Sequence, residues 1–228
     1  MKRFIVNCAI GSKYTALQAP LRAACAKHCR DATQLFWRGY PPGSPRHEQH
    51  QYGFKIHAIQ AAIDAGAEQV LWIDCTFIPK ASIEPLWEVI SSDGWYAPPQ
   101  GDSRLGTWVS DDVLDIYGIS RDAAMEIPLV YSGLVGLDLG GVGAEVLRLW
   151  RELYSRGAFN GPHRNDPGKS PYPWGNKLAG HCSYDPRCEG HRHDEAALSF
   201  VLHTLGLTPQ CLGFLTIEQP DGFIGRNF

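Results

Sequence analysis

The residue with the clearest chemical signal is Asp74, which stands directly after the apolar run Val70–Ile73. A nearly continuous apolar run of this length is typical of a strand buried on both faces, as in a parallel sheet. A carboxylate at the end of such a strand is unfavourable unless it holds a cation or accepts hydrogen bonds. A divalent ion that prefers oxygen ligands, such as Mg or Mn, would satisfy it and bridge it to a diphosphate. The alternative is that Asp74 only caps the following turn.

Two further segments are predicted at the same edge of the sheet. Ligands of open α/β sheets bind outside the carboxyl ends of the strands. The segments Ile10–Ser12 and Tyr131–Gly133 lie in or directly after strand-like apolar runs. Together with Asp74 they predict a ligand site at one edge of the sheet.

The segment 156–193 combines basic with aromatic side chains, although the whole chain is slightly acidic. Such side chains bind phosphates and stack on bases or sugars. One interpretation is a site for a phosphorylated or nucleic acid partner, and the other is a solvated loop. The residues concerned are Arg156, Arg164, Lys169, Tyr172, Trp174, Lys177, Tyr184, Arg187 and Arg192.

The same segment contains a group of potential zinc ligands: His181, Cys182, Cys188, His191 and His193. Zinc in structural sites is held by four such side chains in a tetrahedron. The spacing fits no standard zinc finger, so unliganded residues are the alternative.

The elements that must position these residues alternate between strand and helix patterns. Clusters of Pro, Gly, His, Arg and Lys over 160–190 interrupt the alternation and predict one long loop. The sequence therefore predicts a single α/β domain over 1–228 with a polar insertion at 160–190. The predicted elements are a strand at Phe4–Ile10, a helix at Tyr14–His28, a strand at Gln34–Trp37, a helix with Phe54 and Ile63 on one face, a strand at Gln69–Asp74, a helix capped by Ser82, a strand-rich stretch at Pro128–Asp138, an amphipathic helix containing Val146–Leu153, and a last helix opened by Asp194 and closed by Gly206.

Composition excludes several classes of protein. The 228 residues are 44% hydrophobic and 20% charged, which is typical of a globular chain. The formal net charge of -3 excludes a general electrostatic attraction to polyanions. The apolar runs are shorter than the roughly 20 residues of a membrane helix. The apolar stretch near the first residue is also too short for the hydrophobic region of a signal peptide. The chain has seven cysteines, an odd number, and no export signal is recognised in the sequence. Both observations favour a reduced cytoplasmic compartment.

Four segments in order resemble the core of the GT-A nucleotide-sugar glycosyltransferases: Tyr52–Ala58, Val70–Phe77, Val130–Leu137 and His193–Leu198. The resemblance covers the chain from residue 4 to about 206. It implies a Rossmann-like GT-A domain with a mixed, mostly parallel central sheet flanked by helices. The implied enzyme moves a sugar from a nucleoside diphosphate sugar to an acceptor hydroxyl.

The resemblance also implies roles on the donor side of the site. Ile10, Gly11 and Tyr14 would hold the nucleobase and the ribose, and Lys55 would contact the donor phosphates. Asp74 would be the first acid of a motif that binds a divalent cation, Mn or Mg. The leaving diphosphate would be stabilised by this ion and by Lys55.

The chain departs from the family pattern at Thr76, which stands where the second acid of the metal motif would be. Thr76 is a weak metal ligand, so two alternatives stay open: the reaction does not depend on a metal, or another ligand, His191 or His193, completes the metal shell. Ser132 and Gly133 would line the cleft for the sugar and the acceptor.

The resemblance places Asp194 or Glu195 near the acceptor hydroxyl, where a carboxylate would act as general base. The alternative is that Asp194 caps the last helix and Glu195 interacts with the helix dipole. The acceptor is left open and includes nucleic acid such as a modified DNA base. Two other functions stay open: a nucleotidyltransferase, with a faint phosphate-loop pattern at Gly11–Lys13, and a non-catalytic module that binds nucleotide sugars or nucleic acid.

Overall fold

The computed structural model describes residues 1–170, 179–210 and 212, and the backbone of 217–218. Helices and strands alternate through this part of the chain, which confirms the predicted α/β class. The elements are β1 (Arg3–Ala9), α1 (Ser12–His28), β2 (Ala32–Arg38), α2 (Phe54–Asp64), β3 (Gln69–Ile73), β4 (Ile78–Pro79), α3 (Glu84–Asp93), β5 (Trp95–Tyr96), β6 (Pro99–Arg104), a 3₁₀ turn (Leu105–Thr107), α4 (Asp111–Tyr117), α5 (Arg121–Met125), β7 (Pro128–Val130), β8 (Leu134–Asp138), α6 (Val142–Ser155), β9 (Arg164–Asn165), β10 (Ala179–Gly180), α7 (His193–Thr204) and β11 (Ile217–Glu218).

A five-stranded mixed sheet forms the centre of the fold, in the order β2-β1-β3-β8-β5. Strand β1 pairs in parallel with both β2 and β3. Strand β8 is antiparallel to β3 on one side and to β5 on the other. Strand β3 is therefore an interior strand, and the prediction of a mixed sheet flanked by helices is confirmed.

The apolar run of β3 is explained by two cores on opposite faces of the sheet. Val70 and Trp72 belong to one core, whereas Leu71 and Ile73 belong to the other. Successive side chains of a strand point to opposite faces, so both sets must be apolar where helices cover both sides. Helices α2, α6 and α7 contribute to the first core, and α1 and α3 contribute to the second.

Several element boundaries differ from the sequence prediction. Helix α7 starts at His193 with Arg192 at the N-cap, one residue before the predicted start. Helix α3 has Ile83 at its N-cap, while the Ser82 hydroxyl accepts a hydrogen bond from the Glu84 N–H. The stretch Pro128–Asp138 forms two strands in different sheets, because β7 pairs with β6 instead of joining β8.

The described parts of the predicted 160–190 loop, residues 160–170 and 179–190, contain no helix. They meet in the short parallel pair of β9 and β10. Tyr172, Trp174 and Lys177 lie outside the described residues. Among the described helices, none is both long and apolar enough to cross a membrane.

Candidate active site at the carboxyl edge of the sheet

The topology brings three chain segments to one edge of the sheet. Strands β1 and β3 are parallel neighbours, so Ile10 and Asp74 follow their carboxyl ends at the same edge. Strand β8 runs in the opposite direction and pairs Leu134 with Ile73, which places its preceding residues at this edge as well. The Asp74 N–H donates to the Gly133 carbonyl at 2.7 Å. The three predicted segments are therefore adjacent.

Residue 133 has to be a glycine because its backbone lies very close to Asp74. A Cβ at this position would lie 2.6 Å from the Phe77 ring and 3.0 Å from Asp74 Oδ2. These separations are well inside van der Waals contact, so any larger residue would displace the carboxylate or the ring. The absent side chain is what allows β8 to begin directly beside the Asp74 carboxylate.

Lys55 lies at the centre of the site, with its side chain only 3% exposed. Its Nζ is 2.7 Å from Asp194 Oδ2 and 3.7 Å from Asp74 Oδ1. It also donates to the Ser132 carbonyl and hydroxyl oxygens, each at 3.0 Å. Burial by itself lowers the pKa of the Lys55 amine, but Asp194 and Asp74 outweigh it and raise the pKa above its usual range. Lys55 is therefore a buried ammonium that links α2, the end of β3, the start of β8 and α7.

Asp74 is the more accessible acid of this group, with a side chain 37% exposed. Its Oδ1 accepts a hydrogen bond of 2.8 Å from the Trp72 indole N–H. Desolvation raises the pKa of the Asp74 carboxyl, while Lys55 acts in the opposite direction. Trp72 was missed as a site residue, although the two-residue period of a strand places it on the same face as Asp74.

Asp194 does not act as the helix cap that one interpretation of the sequence predicted. Its carboxylate is 4% exposed and forms the 2.7 Å ion pair with Lys55, and no side chain caps α7. The Asp194 carbonyl accepts a hydrogen bond from the Trp150 indole at 3.0 Å. Asp194 is thus an internal counter-ion that attaches α7 to α2.

Glu195 has a different environment from its neighbour. Its Oε1 is buried and has no hydrogen-bond partner among the described residues. Desolvation and then the charge of Asp194 raise the pKa of the Glu195 carboxyl to about 8, with Arg192 opposing them. Glu195 is therefore mostly protonated at neutral pH and can exchange a proton near pH 8, which is the behaviour of an acid–base group.

The predicted nucleobase side lies at the end of β1. Gly11 has a φ of 84° and connects β1 to α1, and Tyr14 in the first turn of α1 is 42% exposed. Desolvation raises the pKa of the Tyr14 phenol, and the next largest cause is the charge of Asp74. Tyr14 therefore lies near Asp74, on the solvent side of the edge, whereas Thr76 is 8% exposed and buried.

Asn7 holds this edge together and was not recognised in the sequence. It is fully buried in β1, donates to the Ile73 carbonyl at 2.6 Å and accepts from Gln18 Nε2 at 2.7 Å. The Cys75 thiol also donates to Asn7 Oδ1 at 3.4 Å. A buried amide that is hydrogen-bonded through both its nitrogen and its oxygen fixes the ends of β1 and β3 relative to each other. A single amide in an otherwise apolar strand is the signal that could have found it.

His191 and His193, the two histidines predicted to complete the metal shell, point into the interior. His193 is 3% exposed, and its Nδ1 lies 3.0 Å from the Phe159 carbonyl. Its ring packs against His163 at 5.8 Å and His191 at 5.1 Å between centroids. Burial lowers the pKa of His191 to about 4 and that of His193 well below its usual range. All three rings pack as neutral aromatic side chains.

We expect the stability of the protein to fall on acidification because of His191. Its pKa is about 4 in the folded chain and roughly 6.5 in the unfolded chain. The unfolded chain therefore binds more protons, and stability declines as the pH falls through the interval between these values. At pH 5 this amounts to about 2 kcal/mol for His191 alone.

Denaturant unfolding at pH 7 and pH 5 tests this expectation. The loss of stability between the two pH values should be smaller by about 2 kcal/mol in His191→Gln than in the unchanged protein. The exposed His203 serves as the matched control, since His203→Gln should keep the full loss. Equal losses in all three proteins would contradict the assignment.

The described side chains do not fit the metal centre implied by the sequence. Within residues 1–170 and 179–210, no three His, Cys, Asp or Glu side chains converge as metal ligands. Asp74 supplies one exposed carboxylate, but the Lys55 ammonium is 3.7 Å away and repels a second cation. Asp194 is engaged by Lys55, and Glu195 is mostly protonated at neutral pH. At this edge the Lys55 ammonium, and not a metal ion, therefore supplies the positive charge beside Asp74.

The described basic residues of 156–193 are largely engaged within the protein. Arg187 pairs with Asp185 and Asp122, each at 2.7 Å, and Lys169 pairs with Asp166 at 3.1 Å. Arg192 is 7% exposed, and its guanidinium lies 4.0 Å from the centre of the Trp108 ring. Two of the basic side chains that suggested a polyanion partner are thus paired with acids, and a third packs inside the protein.

No family model and no curated protein matches the chain. Among solved structures it is similar to the galactosyltransferase LgtC in complex with donor and acceptor sugar analogues, at 13% identity, a TM-score of 0.38 and coverage of 67% of this chain and 64% of that one. The chain thus spans slightly less than two thirds of this first structure.

Two other similar structures have somewhat higher TM-scores. A glycosyltransferase involved in glycosylation of the major capsid of PBCV-1 shows 11% identity, a TM-score of 0.43 and coverage of 70% of both chains. Mouse xyloside xylosyltransferase 1 shows 11% identity, a TM-score of 0.45 and coverage of 93% of this chain and 85% of that one. These three solved structures are glycosyltransferases.

Proposed function

We propose that the protein is a glycosyltransferase that moves a sugar from a nucleoside diphosphate sugar to an acceptor hydroxyl. The observation that carries the proposal is the Lys55 ammonium. It contacts Ser132, Asp194 and Asp74, one residue from each of the other three segments of the sequence resemblance. Segments that are far apart in the chain therefore form one site at the edge where α/β proteins bind ligands.

Most of the negative charge of the three acids at this site is cancelled or suppressed, which reduces the repulsion of an anionic donor. Two carboxylates, Asp74 and Asp194, share the Lys55 ammonium, and Glu195 is mostly neutral below pH 8. The edge therefore carries much less negative charge than its three acids would suggest. Tyr14 and Gly11 stand at its exposed side, where the nucleoside would bind.

Asp194 and Glu195 have different roles in the proposed reaction because their environments differ. Asp194 is held by Lys55 and stays a counter-ion, whereas Glu195 has an oxygen with no hydrogen-bond partner in the described part of the chain. In the proposed step the acceptor oxygen forms a bond to the anomeric carbon, and the bond from that carbon to the diphosphate oxygen breaks with its electron pair. The acceptor proton passes to the ionised Glu195 carboxylate. The products are the glycosylated acceptor and a nucleoside diphosphate.

The acceptor is proposed only as a hydroxyl compound. The internal pairing of Arg187 and Lys169 and the burial of Arg192 give no support to nucleic acid as the acceptor. The cytoplasmic location and the single domain over 1–228 stay predictions from the sequence.

A binding measurement followed by product analysis tests the proposal. A nucleoside diphosphate at 100 times its Kd should stabilise the protein by about 2.7 kcal/mol, or roughly 5–10 °C in Tm. The matching nucleoside diphosphate sugar should then release nucleoside diphosphate when candidate hydroxyl acceptors are added, with the sugar on the acceptor by mass spectrometry. Binding without release would indicate a binding module, and no shift with any nucleoside diphosphate would contradict the donor site.

A further inference from the structure

Two residues with an unusual backbone flank the site. Among the described non-glycine residues, only Tyr52 and His193 have a positive φ, 55° and 49° respectively. The left-handed region is unfavourable for bulky side chains, so such residues persist only where their surroundings hold them. Strained residues of this kind concentrate at functional sites, which makes their position informative.

Each strained residue leads directly into a helix that carries a charged residue of the site. The Tyr52 carbonyl accepts a hydrogen bond from the Lys55 N–H at 3.1 Å as α2 begins. His193 is the first residue of α7 and immediately precedes Asp194 and Glu195. The backbone angles of Tyr52 and His193 therefore set the orientation of the first turns of both helices.

The two strained residues also contact each other. Their rings are stacked with centroids 5.0 Å apart and an interplanar angle of 30°. The Tyr52 N–H donates to His47 Nδ1 at 3.2 Å, and His193 Nδ1 lies 3.0 Å from the Phe159 carbonyl. The Tyr52 ring centre is 5.6 Å from Lys55 Nζ. The stack thus borders the Lys55–Asp194 ion pair and joins the two chain segments that supply it.

From this arrangement we infer that Tyr52 and His193 are positioning residues for the reaction: their strained backbones and their stacked rings orient Lys55, Asp194 and Glu195. The inference rests on the proposed function. A misplacement of about 1 Å at a reacting group is enough to lower a rate by roughly 100-fold, so a small rotation of either helix start has a large effect.

Three variants separate positioning from simple packing. Tyr52→Ala removes the stacked ring, and His193→Asn removes it while keeping a residue that tolerates positive φ. Tyr52→Phe keeps the ring and serves as the conservative rescue. Phe200→Leu is the matched control, since it disrupts another stacked pair, with Tyr117 at 4.1 Å, on the same helix.

We expect Tyr52→Ala and His193→Asn to lower kcat by about 100-fold with little change in donor KM. Tyr52→Phe should stay close to the unchanged protein, and Phe200→Leu should lower Tm without lowering kcat. The pKa of Glu195, measured by NMR on labelled glutamate, should move by a unit or more in the first two variants only. An unchanged kcat in Tyr52→Ala and His193→Asn would overturn the inference, whatever the Glu195 pKa in these variants.

The two readouts keep this inference distinct from the proposed function. If the unchanged protein transfers no sugar from any donor, the proposed function fails, and the positioning role for catalysis fails with it. The Glu195 pKa in the same variants then still decides whether the stack sets the geometry of the carboxylates. If transfer is seen and the variants retain it, only the positioning role is overturned.

Discussion

Glu195→Gln is expected to lower the rate of sugar transfer by about 100-fold to 10,000-fold, the usual effect of removing a general base from an intact site. The amide has nearly the same shape as the protonated carboxyl group that predominates at neutral pH, so folding and donor binding should be unchanged. Transfer by the unchanged protein should rise with pH towards a plateau above about 8, because the base must be ionised and its pKa is about 8. Any residual activity of the variant should lack this rise of the transfer rate with pH.

The exposed Glu152 provides the matched control for this substitution. Its side chain is 48% exposed on α6, where it lies near Arg148. Glu152→Gln should keep the full rate and the full pH dependence. A Glu195→Gln protein with wild-type turnover would show that another group accepts the proton, and Asp194→Asn would be the next variant to measure.

Lys55→Met is expected to destabilise the protein by about 3–5 kcal/mol, because it leaves the buried Asp194 carboxylate without its counter-ion. For a chain of this length the loss corresponds to roughly 6–20 °C in Tm. Urea or thermal unfolding measures it directly. The double variant Lys55→Met/Asp194→Asn should regain part of the loss, since the uncompensated charge is removed.

An exposed ion pair provides the matched control for the stability measurement on Lys55→Met. Arg148 is 58% exposed and lies 2.7 Å from Glu145. Arg148→Met should change stability little, because surface pairs are screened by solvent. If Lys55→Met is no more destabilising than Arg148→Met, the Lys55–Asp194 pair does not hold α7 in place.

The local patterns of the sequence predicted the parts of the fold that depend on burial alone. The apolar run before Asp74 identified an interior strand, since only a strand covered on both faces is apolar at every position. The strand direction of β8 was not predictable, because a strand has the same apolar pattern whichever way it runs. Trp95–Tyr96 was missed because two residues are too few to show a period.

The site was predicted in its parts but not in its connections. Lys55, Asp74, Asp194 and Glu195 were all named from the sequence, and the structure brings Lys55 to both aspartates. That Asp194 pairs with Lys55 instead of capping its helix is a long-range contact, which no local pattern encodes. The strained φ of Tyr52 is equally invisible, because neither composition nor spacing distinguishes it from an ordinary loop residue.

The ion pair between α2 and α7 has a consequence for the way the protein is made. Lys55 leaves the ribosome long before Asp194 does, and domains begin to fold while synthesis continues. A nascent chain that already buries α2 against the sheet lacks the main counter-ion of its central ammonium until α7 arrives. The central sheet can therefore form early, but its ligand-binding edge is completed only when the late helix docks. A ribosome stalled after α6 but before Asp194 would carry a chain that has all five strands of the central sheet but lacks the helix that completes its ligand-binding edge.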